Sequence, residues 1–328
     1  MTTIDVSAPA DAAGDRLGAL RARLSLPLIC APMFLVSGPD LVIAACRNGV
    51  IGSFPAPNAR PLEVLDAWMG RITAELAECA RSEPGRRVAP WSLNLVVHSS
   101  YDRLPAELEL VRRHRPPVVI TALGSPSRVI DTVHAYGGVV LSDVGTIATA
   151  KKAAQAGVDG LILVCTGAGG HTGSVSPFVF VDAVRQFFDG IVVLAGGICN
   201  GGAIRAAEIV GADLADIGTL FIAARESLAS DDYRQMVVDA GVDDLVLTRA
   251  FTGANAYYLR RSVERNGLDP DNLSGKTAMD WKNSEQQLKA WKDIWSAGQS
   301  VSAVSRIESA ADIIDRLRRE YERARKHA

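Results

Sequence analysis

LILVCTGAGGHTGSVS, residues 161–176, decides how this chain is read: an apolar strand empties directly into a glycine-rich turn that carries one histidine, His171. Gly167, Gly169, Gly170 and Gly173 let the backbone adopt positive φ and come close to a ligand. His171 is the one side chain of the turn able to exchange a proton near neutral pH. A surface loop with an incidental histidine would look the same in isolation, so the reading depends on what surrounds it.

Outward from this stretch, short apolar runs recur at residues 28–33, 50–54, 88–97, 118–123, 139–144, 160–165, 191–197 and 214–219. They are nearly continuous rather than alternating, which is what a parallel sheet buried on both faces requires. The segments between them are long enough for crossover helices. Helix signals fit: Ser37 and Asp40 stand before the run 41–47, Pro61 opens 62–81, and Ser125 precedes 126–135. Helices over 146–156 and 202–210 close on AGVDG and GADLAD, with glycine just before the next strand. Eight such units predict an α/β fold, a closed (β/α)8 TIM barrel, ahead of an open doubly wound sheet. From about residue 226 the rhythm breaks into segments rich in Arg, Asn, Asp and Trp, and an amphipathic helix over 311–326 ends the chain. The expected organisation is a barrel over 15–225, an appended helical lid over 226–300, and a C-terminal helix within 301–328 that packs back on the barrel.

The chain has 328 residues, 48% of them hydrophobic, and a formal charge of −2. No run of Lys or Arg occupies a periodic face, so nucleic acid and anionic membranes are not expected partners, and a small-molecule substrate is. Cys30, Cys46, Cys79, Cys165 and Cys199 are scattered and odd in number, with no CxxC pair, which points to a reducing compartment and to no metal site. Apolar neighbours make Cys30 and Cys165 small buried hydrophobes rather than reactive thiols. Residues 1–25 include Asp5, Asp11 and Asp15 and lack an apolar core of signal-peptide length, so a cytoplasmic location is expected.

In a barrel of this kind the active site lies at the C-terminal strand ends. Those ends supply Ala31, Pro32 and Met33, then Asn94, Ser142 and Asp143, the GAGGH turn, Gly196 and Gly197, and Gly218 and Thr219. Two glycine turns after the seventh and eighth strands form a phosphate-site pattern, because their N–H groups can converge on one dianion, with the Thr219 hydroxyl beside them. GGICNGG does not have the spacing of a Rossmann or P-loop fingerprint.

LICAPM, the Asn of SLNLVV, GAGGHTG, VLAGGICNGGA, ADIGTLFIA and the closing WSAGQ together resemble the nitronate monooxygenase family, formerly 2-nitropropane dioxygenases. Its relatives include flavin enoyl-acyl-carrier-protein reductases and NADH:quinone reductases. The resemblance runs from about residue 26 to 313. It implies an FMN-dependent TIM barrel with Ala31, Pro32 and Met33 along the isoalloxazine, Asn94 hydrogen-bonded to the flavin, and Gly169 and Gly170 close to it. Gly196, Gly197, Gly218 and Thr219 would hold the phosphate. Ser142 and Asp143 belong to the same cofactor-facing set. His171 occupies the position of the family's catalytic base, which removes the α-proton of a nitroalkane or positions the nitronate; an imidazole near its ordinary pKa of about 6.5 suits that task.

The chain departs from the family pattern at two places. Gly167 stands where many relatives carry an acid, and Asp143 stands where the quinone reductase branch has lysine. Asp143 either tunes the flavin or caps the helix that begins at Thr146. His98 follows Asn94 and is a second candidate for the pocket, whereas His114, His134 and His327 read as solvated. In the expected lid, Asn255, Tyr257, Tyr258, Arg260 and Arg261 are candidates to meet a substrate, with surface salt bridging the commoner fate of such arginines. Trp281, Trp291 and Trp295 read as lid packing.

Three readings follow. The first is an FMN-dependent monooxygenase that oxidises alkyl nitronates with O2. The second is an ene-reductase that uses NAD(P)H on an activated C=C of acyl-CoA or acyl-carrier type, or on a quinone. The third is a flavin-binding barrel without turnover. A homodimer is compatible with all of them.

Overall fold

The computed structural model describes residues 10–273 and 292–326, with side chains from residue 16 onward. All eight apolar runs are strands: β1 (Leu28–Cys30), β2 (Ile51–Pro55), β3 (Trp91–Val96), β4 (Val118–Ala122), β5 (Val139–Val144), β6 (Gly160–Val164), β8 (Ile191–Ala195) and β9 (Leu214–Ile217). Between β6 and β8 lies a two-residue strand, β7 (Gly170–His171). The eight long strands are parallel neighbours in the order β1-β2-β3-β4-β5-β6-β8-β9, and β9 pairs with β1 to close the barrel.

Strand alternation explains why the runs are apolar throughout. Ile29, Ile51, Val118, Ile120, Val139, Leu141, Ile162, Val193 and Leu214 fill the barrel interior. Their neighbours in sequence, among them Leu28, Val119, Val140, Leu161, Val192 and Ala215, pack outward with the helices. A strand buried on both faces favours apolar residues along its length, so the interior is a packed core and not a pore, and polar residues such as Ser53, Ser92 and Thr121 are few.

The helix over Ile147–Gln155 starts at Thr146, whose hydroxyl and that of Thr149 form a reciprocal cap, and Gly157 follows with φ 91°. The helix over Gly201–Ile209 is capped by Asn200 and followed by Gly211 with φ 106°. Two expected caps are corrected. The helix over Pro39–Arg47 begins after Gly38, and the Ser37 hydroxyl instead donates to the Ala31 carbonyl and accepts from the Met33 N–H. The helix over Ser127–His134 has Pro126 at its cap position, one residue beyond Ser125.

After β9 the chain forms a helix over Asp231–Asp239, a hairpin of β10 (Leu245–Thr248) and β11 (Ala256–Leu259), and a short helix over Arg260–Arg265. β11 pairs antiparallel with β10 on one side and with β7 on the other, Ala256 opposite His171 and Tyr257 opposite Gly170. The segment expected to be a helical lid therefore also holds strands, and those strands grip the GGH turn. The final helix, Ala310–Lys326, returns to the barrel and packs on the helices over Gly201–Ile209 and Pro39–Arg47. Trp281, Trp291 and His327 lie outside the described residues. No helix among the described residues is long and apolar enough to cross a membrane.

Candidate active site

Strand alternation carried one step past the apolar core sets the floor of the site. Two residues beyond Ile29, Val139 to Leu141, Ile162, Val193 and Leu214 come Ala31, Asp143, Val164, Ala195 and Asp216, and the matching positions on β2, β3 and β4 are Pro55, Asn94 and Ala122. All eight line one cavity of about 1080 Å³ at the C-terminal ends of the strands. Five of them are small or apolar, which leaves room for a flat ring. Three are polar and face it from β3, β5 and β9.

Ala31, Pro32, Met33, Asn94, Ser142, Asp143, Gly169, Gly170, His171, Gly196, Gly197, Gly218 and Thr219 all line this cavity. At one end the wall is backbone. Gly196 has φ 117°, and a Cβ there would lie 3.0–3.1 Å from Thr166 O, Ala168 N and Cys165 O. Gly197, also in the lining, has φ 70°, and a Cβ there would meet open space, with nothing within 4 Å. Gly218 is not in the left-handed region; its missing side chain instead makes space against Met33 Sδ, 3.3 Å from where a Cβ would sit.

The WSAGQ stretch locks the GAGGH turn in place. Gln299 N–H donates to the Gly167 carbonyl (2.9 Å), Gly298 N–H to Thr219 Oγ1 (2.8 Å) and Gly170 N–H to Ser296 Oγ (2.9 Å). Thr219 Oγ1 thus accepts from Gly298 while its proton stays available to donate. A Cβ on Gly298 would come within 2.7 Å of both Gly167 O and Gly169 N. Gly167 itself has φ 89°, and a Cβ there would be 2.7 Å from Gln299 Oε1. That contact is the end of a flexible side chain, so it is the left-handed backbone that strains any side chain at this position.

His171 is held by β7 and by a hydrogen bond from its Nε2 to Thr252 Oγ1 at 3.1 Å. Burial lowers its pKa to about 4, so the expectation of an ordinary imidazole is corrected: the ring is neutral at pH 7 and a weak base. Burial pushes Asp143 the other way, up to about 7. Asp216 is raised well above the carboxylate range, first by burial and then by the charge of Asp143. Asp143 does not cap the neighbouring helix; Thr146 does.

Sequence reasoning missed Asp216 and the cations of the lining. Asp216 is the one charged residue of ADIGT, and the period of two from Leu214 was the signal that it faces inward. Arg60, Arg103 and Lys152 also line the cavity, Arg103 paired with Glu107 at 3.2 Å. Their positions in loops and on a helix surface give no periodic cue.

Other candidates fall outside the cavity wall. His98 turns to Ser100 Oγ, at 2.8 Å. His114 and His134 are corrected from solvated to paired: the first bonds Asp66 and the second bonds Asp159 at 2.9 Å, a carboxylate that also pairs with Arg16. Arg260 makes two bonds to Asp271, at 2.9 and 3.0 Å, and Arg261 lies 3.7 Å from Asp239. The Asn255 carbonyl accepts from Thr172 N–H, and Tyr257 and Tyr258 are buried in β11. Trp295 stacks on Tyr233 with ring centroids 4.9 Å apart, which is packing. Cys30 and Cys165 are buried, and burial pushes Cys165 up to about 12.

A family model described as nitronate monooxygenase matches residues 59–320. A nitronate monooxygenase of Paraburkholderia phytofirmans is 26% identical, over 91% of this chain and 93% of its own length. The (3aS,4S,5R,7aS)-5-hydroxy-7a-methyl-1-oxo-octahydro-1H-indene-4-carboxyl-CoA dehydrogenase of Rhodococcus jostii is 28% identical, over 77% of this chain and 67% of its own. Among solved structures, nitroalkane oxidase from Streptomyces ansochromogenes superposes with a TM-score of 0.80 at 24% identity, covering 94% of this chain and 99% of that one. FabK from Thermotoga maritima superposes with a TM-score of 0.74 at 23% identity, covering 95% and 97%. At these identities the two structures support the fold alone.

Proposed function

The chain belongs to the nitronate monooxygenase family of oxidoreductases, and we propose that it is an FMN-dependent enzyme oxidising alkyl nitronates with dioxygen. The observation that carries this reading is the single cavity in which a backbone-built end, a floor of small residues and a histidine-bearing wall meet. The residues fit the cofactor: Gly197 leaves open the space that any side chain would fill, and Asn94, 7% exposed, has no side-chain hydrogen bond among the described residues.

Gly196, Gly197, Gly218 and Thr219 would hold the FMN phosphate, Ala31, Pro32 and Met33 would lie along the ring, and Asn94 and the Gly169–Gly170 backbone would meet its polar edge. FMN bound there would supply the electron acceptor for the substrate and the partner for dioxygen. A nitronate arrives already deprotonated, so a neutral His171 has no proton to remove. Its task is to orient the nitronate, with Thr252 fixing the ring.

A second reading, NAD(P)H-dependent reduction of an activated C=C in an acyl-CoA or acyl-carrier substrate or of a quinone, is favoured by the cavity's size and by the cations Arg60, Arg103 and Lys152 in its lining. The carboxyl-CoA dehydrogenase of Rhodococcus jostii points the same way. Anaerobic titration of the FMN-loaded protein separates the readings. Bleaching by propionate-3-nitronate without reduction by NADH or NADPH supports the first. Rapid reduction by a nicotinamide supports the second, and a flavin that neither reduces is bound without turnover.

A further inference from the structure

Asp143 and Asp216 occupy inward positions on β5 and β9, each two residues beyond a leucine of the barrel interior, Leu141 and Leu214. Both line the cavity floor. Neither has an ion-pair partner among the described residues, and Asp216 Oδ1 is sealed from solvent with no hydrogen bond there. Asn94 faces the same space from β3, more than nine-tenths buried and without a side-chain partner among the described residues. A carboxylate left out of water without a counter-charge takes up a proton unless a ligand supplies the missing interaction. The other titratable or charged groups around the pair are Cys30 on β1, His171 on β7 and, elsewhere in the cavity lining, Tyr101, Tyr233, Arg60, Arg103 and Lys152, with burial raising both tyrosines. Burial holds the Cys30 thiol neutral.

We propose that Asp143 is the general base of this cavity for neutral nitroalkanes, with Asp216 the protonated carboxyl that donates a hydrogen bond to the substrate's nitro oxygen. This rests on the nitronate reading and extends the substrate class to the carbon acid from which a nitronate forms. Asp143 carboxylate takes the α-proton; the C–H bond breaks, an O–H bond forms on Asp143, the C–H electron pair becomes the C=N bond of the nitronate, and the N=O π pair moves onto the nitro oxygen that faces Asp216. No electron leaves the substrate in this step. A carboxyl that titrates near neutrality is matched to it, whereas an imidazole held neutral down to about pH 4 is a weak acceptor.

The test is exchange of the α-protons of 1-nitropropane into D2O, followed by proton NMR under anaerobic conditions, which needs no flavin turnover. Wild-type protein accelerates exchange, with a rise through an apparent pKa near neutrality. Asp143→Asn loses that acceleration by about 100-fold or more, and His171→Asn retains it. A native circular dichroism spectrum for Asp143→Asn shows that the loss of exchange is not a loss of fold. Exchange that survives Asp143→Asn, or that is lost in His171→Asn, overturns the proposal. Failure to oxidise preformed nitronate in the wild type overturns the nitronate reading instead.

Discussion

At one end of the cavity Gly196 and Gly197 shape the wall with backbone alone and Gly298 packs against the GAGGH turn, whereas at the floor Asn94, Asp143 and Asp216 shape it with side chains on strands. The glycine end is set by steric exclusion: positive φ and carbonyls closer than a methyl group allows. The floor is set by electrostatics on a rigid frame, so isosteric replacements keep its shape and change only its protons. A change at the first region should disturb folding and cofactor capture together. A change at the second should alter chemistry and pH dependence while the fold stays intact.

The largest effect belongs to the first region. Gly298→Ala forces a Cβ to within 2.7 Å of Gly167 O and Gly169 N, and should destabilise the protein by about 1–3 kcal/mol and release bound FMN. Chemical denaturation and the visible spectrum of the purified variant check this. Thr252→Val removes the hydrogen bond that orients His171; turnover of preformed nitronate should fall by about tenfold while FMN remains bound. Unchanged kcat would show that the ring is held by other means.

Thermal melts of Asp143→Asn against wild type sharpen the contrast further. Asp143 has a folded pKa of about 7, above its ordinary carboxylate value of about 3.9. Between those values the folded state binds a proton that the unfolded state lacks, so this group's contribution to stability falls as pH rises and is least favourable above pH 7. The variant should therefore melt above the wild type at pH 8, with the gap closing toward pH 4. His171 acts in the opposite sense, its contribution being lost as pH falls from about 6.5 toward 4, but it does so equally in both proteins. The smallest effect is expected outside the cavity: Arg260→Ala breaks an exposed pair with Asp271 and should leave melting temperature and turnover unchanged.

The barrel was legible in the sequence because burial on both faces makes each strand a continuous apolar run that composition cannot hide. The glycine end was legible for a related reason, since Gly196, Gly197 and Gly218 directly follow such runs. Asp216 was hidden because β9 is four residues long, too short for its alternation to stand out beside the glycine turn that follows it. β10 and β11 escaped because four-residue strands have too short a period, and their pairing with Gly170 and His171 is long-range. The same distance in sequence concealed the pairing of His114 with Asp66 and of His134 with Asp159. The depressed pKa of His171 depends on burial in the assembled fold, which no local pattern encodes.

On the proposed reading, the backbone-built end of this cavity captures the phosphate of FMN. Equilibrium binding of FMN and of riboflavin to flavin-stripped protein tests it directly. Loss of a few charge-assisted hydrogen bonds should make riboflavin bind about 100-fold or more weakly than FMN, and Gly197→Val, whose side chain would occupy the open space at this position, should abolish that preference. Equal affinity for the two flavins in the wild-type protein, or full FMN affinity in Gly197→Val, would contradict the account.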